Sequence, residues 1–479
     1  MHNLKLYGAA ILYKISEPRT KGKVWLQVGW HPGWRGAPST LAVERPVPTN
    51  VRGSESLIKM AKEDQPGSDL VAVVGAGIIG AAIAYELQCR GKSVVLLDRA
   101  GPGRGASYGN MASIAVTEFM PISRPSTWSR IPSWLLDSEG PIRLRPSYLP
   151  KLLPWFLRFL EAGRPARVRD LEAAGAALCS RVYDDLIPLL DRAGLADMLT
   201  REGCLSLYSN EGEFAADEEH IQIIKRHGFE TEIIGGNALR DLEPAISTKI
   251  VKAAVLPSNR SIRDPYNLVT SLVDRFRDRG GRLERADVID FERANGRIAA
   301  LRLGDGRSIA TKQVMLCAGA FTGRLARLLG EHIPLETERG YHTQIMSPGI
   351  SLRHSIIWPA RAFMVTQTAG GIRVGGTVEL AGLDADPDYR RAKVLVKRAQ
   401  EALPDLQNNN TTEWMGHRPA LPDTIPIISR SATTPGVFYA TGHGHLGLTY
   451  AATTARLIAD LATDQTPPLD LTPYRVNRF

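Results

Sequence analysis

The stretch from Val71 to Arg99, VAVVGAGIIGAAIAYELQCRGKSVVLLDR, constrains the fold more than any other part of the chain. An apolar run, Val71 to Val74, leads straight into Gly75-Ala76-Gly77-Ile78-Ile79-Gly80. A helical pattern follows, then a second apolar run, Val94 to Leu97, that ends on Asp98. Gly75 permits the tight turn out of the strand, Gly77 lets backbone approach a pyrophosphate, and Gly80 lets the helix sit close on the sheet. Free N–H groups at the helix start, together with the helix dipole, favour phosphate charge. Asp98 stands where it can accept a hydrogen bond from a ribose hydroxyl. A lone GxGxxG is weak evidence. Strand, helix, second strand and terminal acid together predict a dinucleotide site in a parallel α/β domain. A glycine-rich turn in an ordinary strand–helix unit leaves the acid unexplained.

With 479 residues the chain can hold two or three domains and a large core. Its formal net charge of +9 suits anionic partners: a nucleotide cofactor, a carboxylate substrate or an anionic membrane surface. Nucleic acid is not expected as a partner, because the arginines are scattered and no basic block is interleaved with aromatics. The four cysteines, Cys89, Cys179, Cys204 and Cys317, form no CxxC pair or metal-like cluster, so no metal is expected. Such usage fits a reducing compartment. No apolar run approaches the roughly 20 residues needed to span a bilayer. A cytoplasmic location follows, with association to the inner face of the membrane as a further reading.

Residues 1–68 are rich in Lys, Arg, Gly, Pro and Trp and lack clean periodicity. They read as a disordered or artefactual extension, with Met60 as the natural start. From Val71 onward the order is α/β. A glycine-rich loop runs from Gly101 to Asn110, and Pro125 to Pro150 reads as irregular connection. Leu149 to Arg167 is amphipathic, with Trp155, Phe156 and Phe159 facing a core. A membrane-surface helix with basic flanks is its second reading. Helices are predicted over Leu171–Leu190, Asn267–Arg279 and Tyr389–Leu403, and a strand over Gly203–Tyr208. Arg282–Phe291 offers a strand pair, and Gln313–Ala320 a buried strand running into small residues. Short strands alternate with turns from Glu336 to Val378. The chain closes with a strand, Gly436–Ala440, a glycine-rich turn, Thr441–Gly447, and a helix, Leu448–Leu461.

Three elements occur together: the GAGIIG unit with its acid, VMLCAGAFT, and WMGHRPALPDTIPIIS followed by GVFYATGHGHLGLTYAA. This combination resembles the FAD-dependent D-amino acid oxidase superfamily over about residues 69–470. It looks most like the bacterial D-amino acid dehydrogenases, with glycine and sarcosine oxidases as relatives. The resemblance implies an α/β fold: a Rossmann-like FAD-binding domain assembled from separated segments, plus a mixed-sheet α+β substrate domain. Matched to this chain, the FAD-binding domain takes 69–145, 257–330 and 412–479. The substrate domain takes 146–256 and 331–411. The implied activity is oxidative deamination of a small-molecule D-amino acid by hydride transfer to flavin. Electrons would pass to a quinone or the respiratory chain. A D-proline or 4-hydroxy-D-proline dehydrogenase, or a glycine- or sarcosine-type oxidase using O2, is the alternative.

The resemblance also assigns residues. Gly75, Gly77, Ile78, Ile79 and Gly80 would cradle the FAD pyrophosphate, Asp98 would hold the adenosine ribose and Arg99 would cover the adenine side. Ser107 and Asn110 match the loop lining the pyrophosphate and flavin. Val288 matches a backbone contact to adenine, and Ala318 and Gly319 the middle strand passing the cofactor. Gly442, His443, Gly447, Leu448 and Thr449 match the last turn and helix start, facing the flavin. Covalently flavinylated relatives use a Cys near the C-terminal motif or a His in the N-terminal loop. This chain has no Cys after Cys317 and no His between Asp98 and Arg130, so noncovalent FAD is expected. Arg418, in Gly416-His417-Arg418-Pro419, matches the arginine that holds the substrate carboxylate as a bidentate pair. Tyr341 and His342, in Arg339-Gly340-Tyr341-His342, match a segment crossing near the flavin ring. Phe363, Met364 and Arg373 are candidates for the pocket wall. His443 and His445 read as held by backbone rather than catalytic.

Overall fold

The computed structural model describes residues 69–137 and 140–479. The expected extension and the Met60 start lie outside the described residues.

Leu70–Val74 sits at the centre of a six-stranded sheet. Across that sheet the order is Ile427–Arg430, Val437–Thr441, Gln313–Leu316, Leu70–Val74, Ser93–Asp98 and Arg282–Arg285. All neighbours run parallel except Ile427–Arg430, which pairs antiparallel at the edge. Parallel strands read as unbroken apolar runs because both faces are covered. Val71 and Val73 pack with the helices Ile78–Cys89, Pro265–Asp278 and Ala451–Ala462. Ala72 and Val74 face the other way, onto a three-stranded antiparallel sheet of Val288–Ala294, Arg297–Leu303 and Ser308–Ala310.

The second large sheet has nine strands. Asn409–Ala420 lies at its edge, followed by Glu336–Ser347, Gly371–Leu380, Phe363–Thr368 and Ser355–Trp358. Cys204–Tyr208, Lys252–Leu256 and Glu232–Gly235 complete the row, and Ile142–Leu144 pairs with Gly371–Leu380. Two strands therefore pair differently from the expected ranges. Ile142–Leu144 falls within 69–145 and Asn409–Ala420 largely within 412–479, both assigned to the FAD-binding domain, yet both hydrogen-bond into this sheet. The Asn409–Ala420 strand is bound from Glu336↔Ala420 to Ser347↔Asn409, and this long ladder decides its membership.

Three local expectations change. Pro125–Pro150 is not irregular throughout: it holds short helices at Pro125–Trp128 and Ile131–Leu136, each with Pro at its start, where the missing N–H costs nothing. The Leu171–Leu190 helix is two helices, Pro165–Ser180 and Val182–Ala193. The last helix starts at Ala451 rather than Leu448, because the Leu448–Tyr450 segment forms a turn whose Thr449 hydroxyl binds elsewhere. The Leu149–Ala162 helix buries Leu152, Trp155 and Phe159. No described helix is long and apolar enough to cross a membrane.

Candidate active site

The cofactor-matching segments leave the carboxyl ends of four parallel strands: Gly75 after Val74, Arg99 after Asp98, Ala318 just beyond Leu316, and Gly442 after Thr441. Open α/β sheets bind ligands at that edge. Gly75 has φ of +104°, and a methyl group there would lie 2.5 Å from the Cys317 carbonyl oxygen. A methyl group at Gly80 would lie 1.8 Å from the Gly75 carbonyl oxygen. The helix that starts at Ile78 is thus pressed against the strand end. Its first turn carries N–H groups without intrahelical partners. One of them, on Ile78, donates to Ser107 Oγ at 2.9 Å.

Asp98 does more than the sequence suggests. Its Oδ2 accepts the Ala76 N–H at 2.8 Å, while Oδ1 accepts from Ala100 at 2.8 Å and Gly101 at 2.9 Å. The carboxylate thereby ties the second strand to the glycine loop. About four lone-pair sites on its two oxygens leave capacity for a hydroxyl. The Arg99 guanidinium lies 3.9 Å over the Phe321 ring. Val288 is buried at the start of its strand, and neighbouring Ala286 donates its N–H to the Asp98 carbonyl at 3.1 Å. Asn110 caps its own loop, accepting the Ala112 N–H at 2.7 Å. The Gly319 carbonyl accepts from Thr441 Oγ1 at 3.0 Å. His443 is buried against Thr454 Oγ1 at 3.0 Å, and burial pushes its pKa down to about 3. Gly444 N–H donates to the Pro419 carbonyl at 2.8 Å, and Thr449 Oγ1 accepts the Ala115 N–H at 3.1 Å. The glycine turn around Gly447 and Leu448 is thus locked between the Gly105–Ala115 loop and the Arg418 strand.

Arg418 stands on the edge strand of the large sheet. Register pairs Glu338 with Arg418, Gly340 with Gly416 and His342 with Trp414. Alternation puts these six side-chain positions on one face. The Arg418 guanidinium lies flat over Gly340, where a methyl group would come 2.5 Å from its Cζ. Trp414 likewise lies over Gly416 and stacks on His342, ring centroids 5.2 Å apart. His342 Nδ1 donates to the Gly109 carbonyl at 2.8 Å, so Nε2 carries the lone pair. Burial, then the charges of Arg373 and Arg418, push the His342 pKa down to about 3, leaving it neutral. Arg373 shares this face, its Nε donating to Gln344 at 3.0 Å. Burial pushes it down to about 10.

Tyr341 is a correction: it faces the other side of the sheet from Arg418. Its hydroxyl donates to Glu379 Oε2 at 2.5 Å and accepts the Asp388 N–H at 2.9 Å. Glu379 also binds Arg145 at 2.8 Å and faces buried Arg339 at 3.5 Å. Phe363 shares that face, packed on Trp358, whereas Met364 lies on the Arg373 side. Tyr341→Phe is expected to lower stability by about 1–3 kcal/mol, since it strips a donor from a buried carboxylate. Thermal unfolding and steady-state kinetics check this. A large KM change at unaltered stability would return Tyr341 to the substrate wall.

Sequence reasoning missed Glu338, Trp414 and Glu118. Glu338 and Glu118 line one hollow together with the Gly442–Leu446 turn. For Glu338 and Trp414 a signal existed in the two-residue spacing on their strands, but only with the register known. Among the described residues no cluster of His, Cys, Asp or Glu could hold a metal.

The pressed glycines, the helix start and the four strand ends define a dinucleotide-binding protein. Residues 71–461 match the family described as FAD dependent oxidoreductase (DAO). A D-amino-acid oxidase of Bradyrhizobium diazoefficiens is 33% identical over 421 residues, covering 85% of this chain and 98% of that protein. A D-amino acid dehydrogenase of Rhizobium rhizogenes is 26% identical, covering 85% and 99%. Among solved structures, glycine oxidase from Geobacillus kaustophilus superposes with a TM-score of 0.65 at 20% identity, covering 85% of this chain and 98% of that one. The L-proline dehydrogenase from P. horikoshii gives 0.65 at 20%, covering 87% and 98%. The chain belongs to the DAO family of FAD-dependent oxidoreductases, and FAD is its cofactor. Gly75 to Gly80, Asp98, Ser107 and the Gly442 turn are the residues that would hold it.

Proposed function

We propose that this enzyme oxidises D-amino acids to imino acids, which water converts to oxo acids and ammonia, with FAD held noncovalently. The observation that carries this reading is Arg418. Its guanidinium donates to one carbonyl, that of Thr377 at 3.3 Å, and keeps its other N–H groups for a carboxylate. Neutral His342 and the Trp414 ring beside it offer a desolvated wall for a side chain. The relatives named D-amino-acid oxidase and D-amino acid dehydrogenase support the same substrate class. Bound FAD supplies the two-electron acceptor; the protein supplies orientation and exclusion of water.

For the electron acceptor we propose a quinone or other respiratory carrier, reached at the inner membrane face. Leu149, Leu153 and Leu157 are 48%, 48% and 58% exposed along one stripe of their helix, with exposed Lys151, Arg164 and Arg167 close by in the chain. That pattern suits an anionic bilayer surface. O2 is the second reading, favoured by the 33% identical relative named an oxidase. Anaerobic mixing with D- and L-amino acid panels is expected to bleach the flavin with D-enantiomers only. Bleaching by L-enantiomers alone overturns the proposal. Stoichiometric peroxide in air selects O2 over the quinone.

A further inference from the structure

Glu338 and Arg418 sit directly opposite each other on antiparallel strands, on the same face. Directly opposed residues hold their Cα atoms about 4.5–5.5 Å apart. Yet among the described residues the two form no ion pair. Arg418 donates to the Thr377 carbonyl and its guanidinium turns aside over Gly340. The Glu338 carboxyl accepts no hydrogen bond among the described residues. It lines the hollow shared with Glu118 and His445. A half-buried carboxylate without hydrogen-bond partners is costly unless something is meant to meet it. Opposite charges held side by side but unbonded are the electrostatic complement of a zwitterion.

We propose that Glu338 receives the α-ammonium group of the amino acid whose carboxylate Arg418 holds, and takes its proton. This rests on the amino acid reading above. One ammonium N–H bond breaks, its electron pair stays on nitrogen, and the proton forms an O–H bond on Glu338. An ammonium and a carboxylate become an amine and a carboxylic acid, so charge is conserved. The freed lone pair is what a developing C=N bond requires, and an ammonium cannot supply it. The driving force is local. Burial already pushes the Glu338 carboxyl above its usual range, Arg418 opposes that, and Glu336 on the same strand adds to it. Once a substrate carboxylate covers Arg418, the opposing charge is neutralised. The other titratable groups lining this hollow are Glu118 from the loop, His443 and His445 from the glycine turn, and Tyr450 after it. Burial holds both histidines below their usual range and Tyr450 above its own.

The test compares wild type with Glu338→Gln and Glu338→Asp as FAD-loaded enzymes, using the D-amino acid that bleaches wild type fastest. In Glu338→Gln, kcat/KM at pH 7 is expected to fall roughly 100-fold and to climb tenfold per pH unit, as free amine becomes available in solution. Glu338→Asp should restore much of the loss at neutral pH. A binding measurement separates this from a packing role. By calorimetry, propionate, which has no amine, should bind Glu338→Gln more tightly than wild type, because Arg418 loses its neighbouring anion. An unchanged pH profile in Glu338→Gln, or equal weakening of propionate and amino acid, overturns the inference while leaving the D-amino acid reading standing. A wild type that no amino acid bleaches overturns that reading itself.

Discussion

Arg418→Ala is expected to cost about 2–5 kcal/mol of substrate binding, roughly 30-fold to a few thousand-fold in kcat/KM, mostly through KM. The figure belongs to a charge pair shielded from water. Burial lowers the Arg418 pKa from its usual value, so its surroundings are poorly solvated and an arriving carboxylate meets little screening. Flavin content should stay near that of wild type, since the glycine cradle sits on a different sheet. Arg418→Lys should recover only part of the loss, because an ammonium cannot form the parallel pair of hydrogen bonds that a guanidinium offers. Kinetics on a D-amino acid, with flavin absorbance as the control, checks all three. Unaltered KM in Arg418→Ala removes the residue from the site.

Gly80→Ala is expected to abolish flavin retention and to destabilise the fold by about 1–3 kcal/mol or more. The added methyl would stand 1.8 Å from the Gly75 carbonyl oxygen, and that neighbour is backbone, not the end of a flexible side chain. Helix and strand must separate, which spoils the approach of the first turn to a pyrophosphate. Gly235→Ala is the control: nothing lies within 4 Å of its added methyl, and flavin binding should be unaffected. Thermal unfolding and the flavin absorbance of purified protein measure both. A Gly80→Ala protein that keeps its colour and stability would show that the contact relaxes without consequence.

The nucleotide-binding half was legible because its signals are local. Val71 to Asp98 encodes strand, turn, helix and strand within one continuous stretch, and Gly80 answers to the carbonyl of nearby Gly75, whereas Gly75 itself meets Cys317 on a distant strand. The Gln313 and Gly436 strands were readable for the same reason, being short apolar runs that end in small residues. The substrate half was less legible. Whether Tyr341 or His342 faces Arg418 depends on alternation along one strand, and a single-residue slip exchanges the two. From sequence the Arg418 strand reads with the nucleotide domain, since nothing near it in sequence reveals its partner, the Glu336–Ser347 strand.

By itself, then, the amino-acid sequence determined the glycine-rich strand, turn and helix and the flavin family, and it singled out Arg418 as the candidate for a substrate carboxylate. Only the tertiary structure set Glu338 beside Arg418, laid Trp414 on His342 and turned Tyr341 into a buried network with Glu379. The physical reason is range. Turn chemistry and helix starts act over a few residues. The chemistry of a buried charge is decided by whichever residue the sheet register places opposite it, here one from a distant strand.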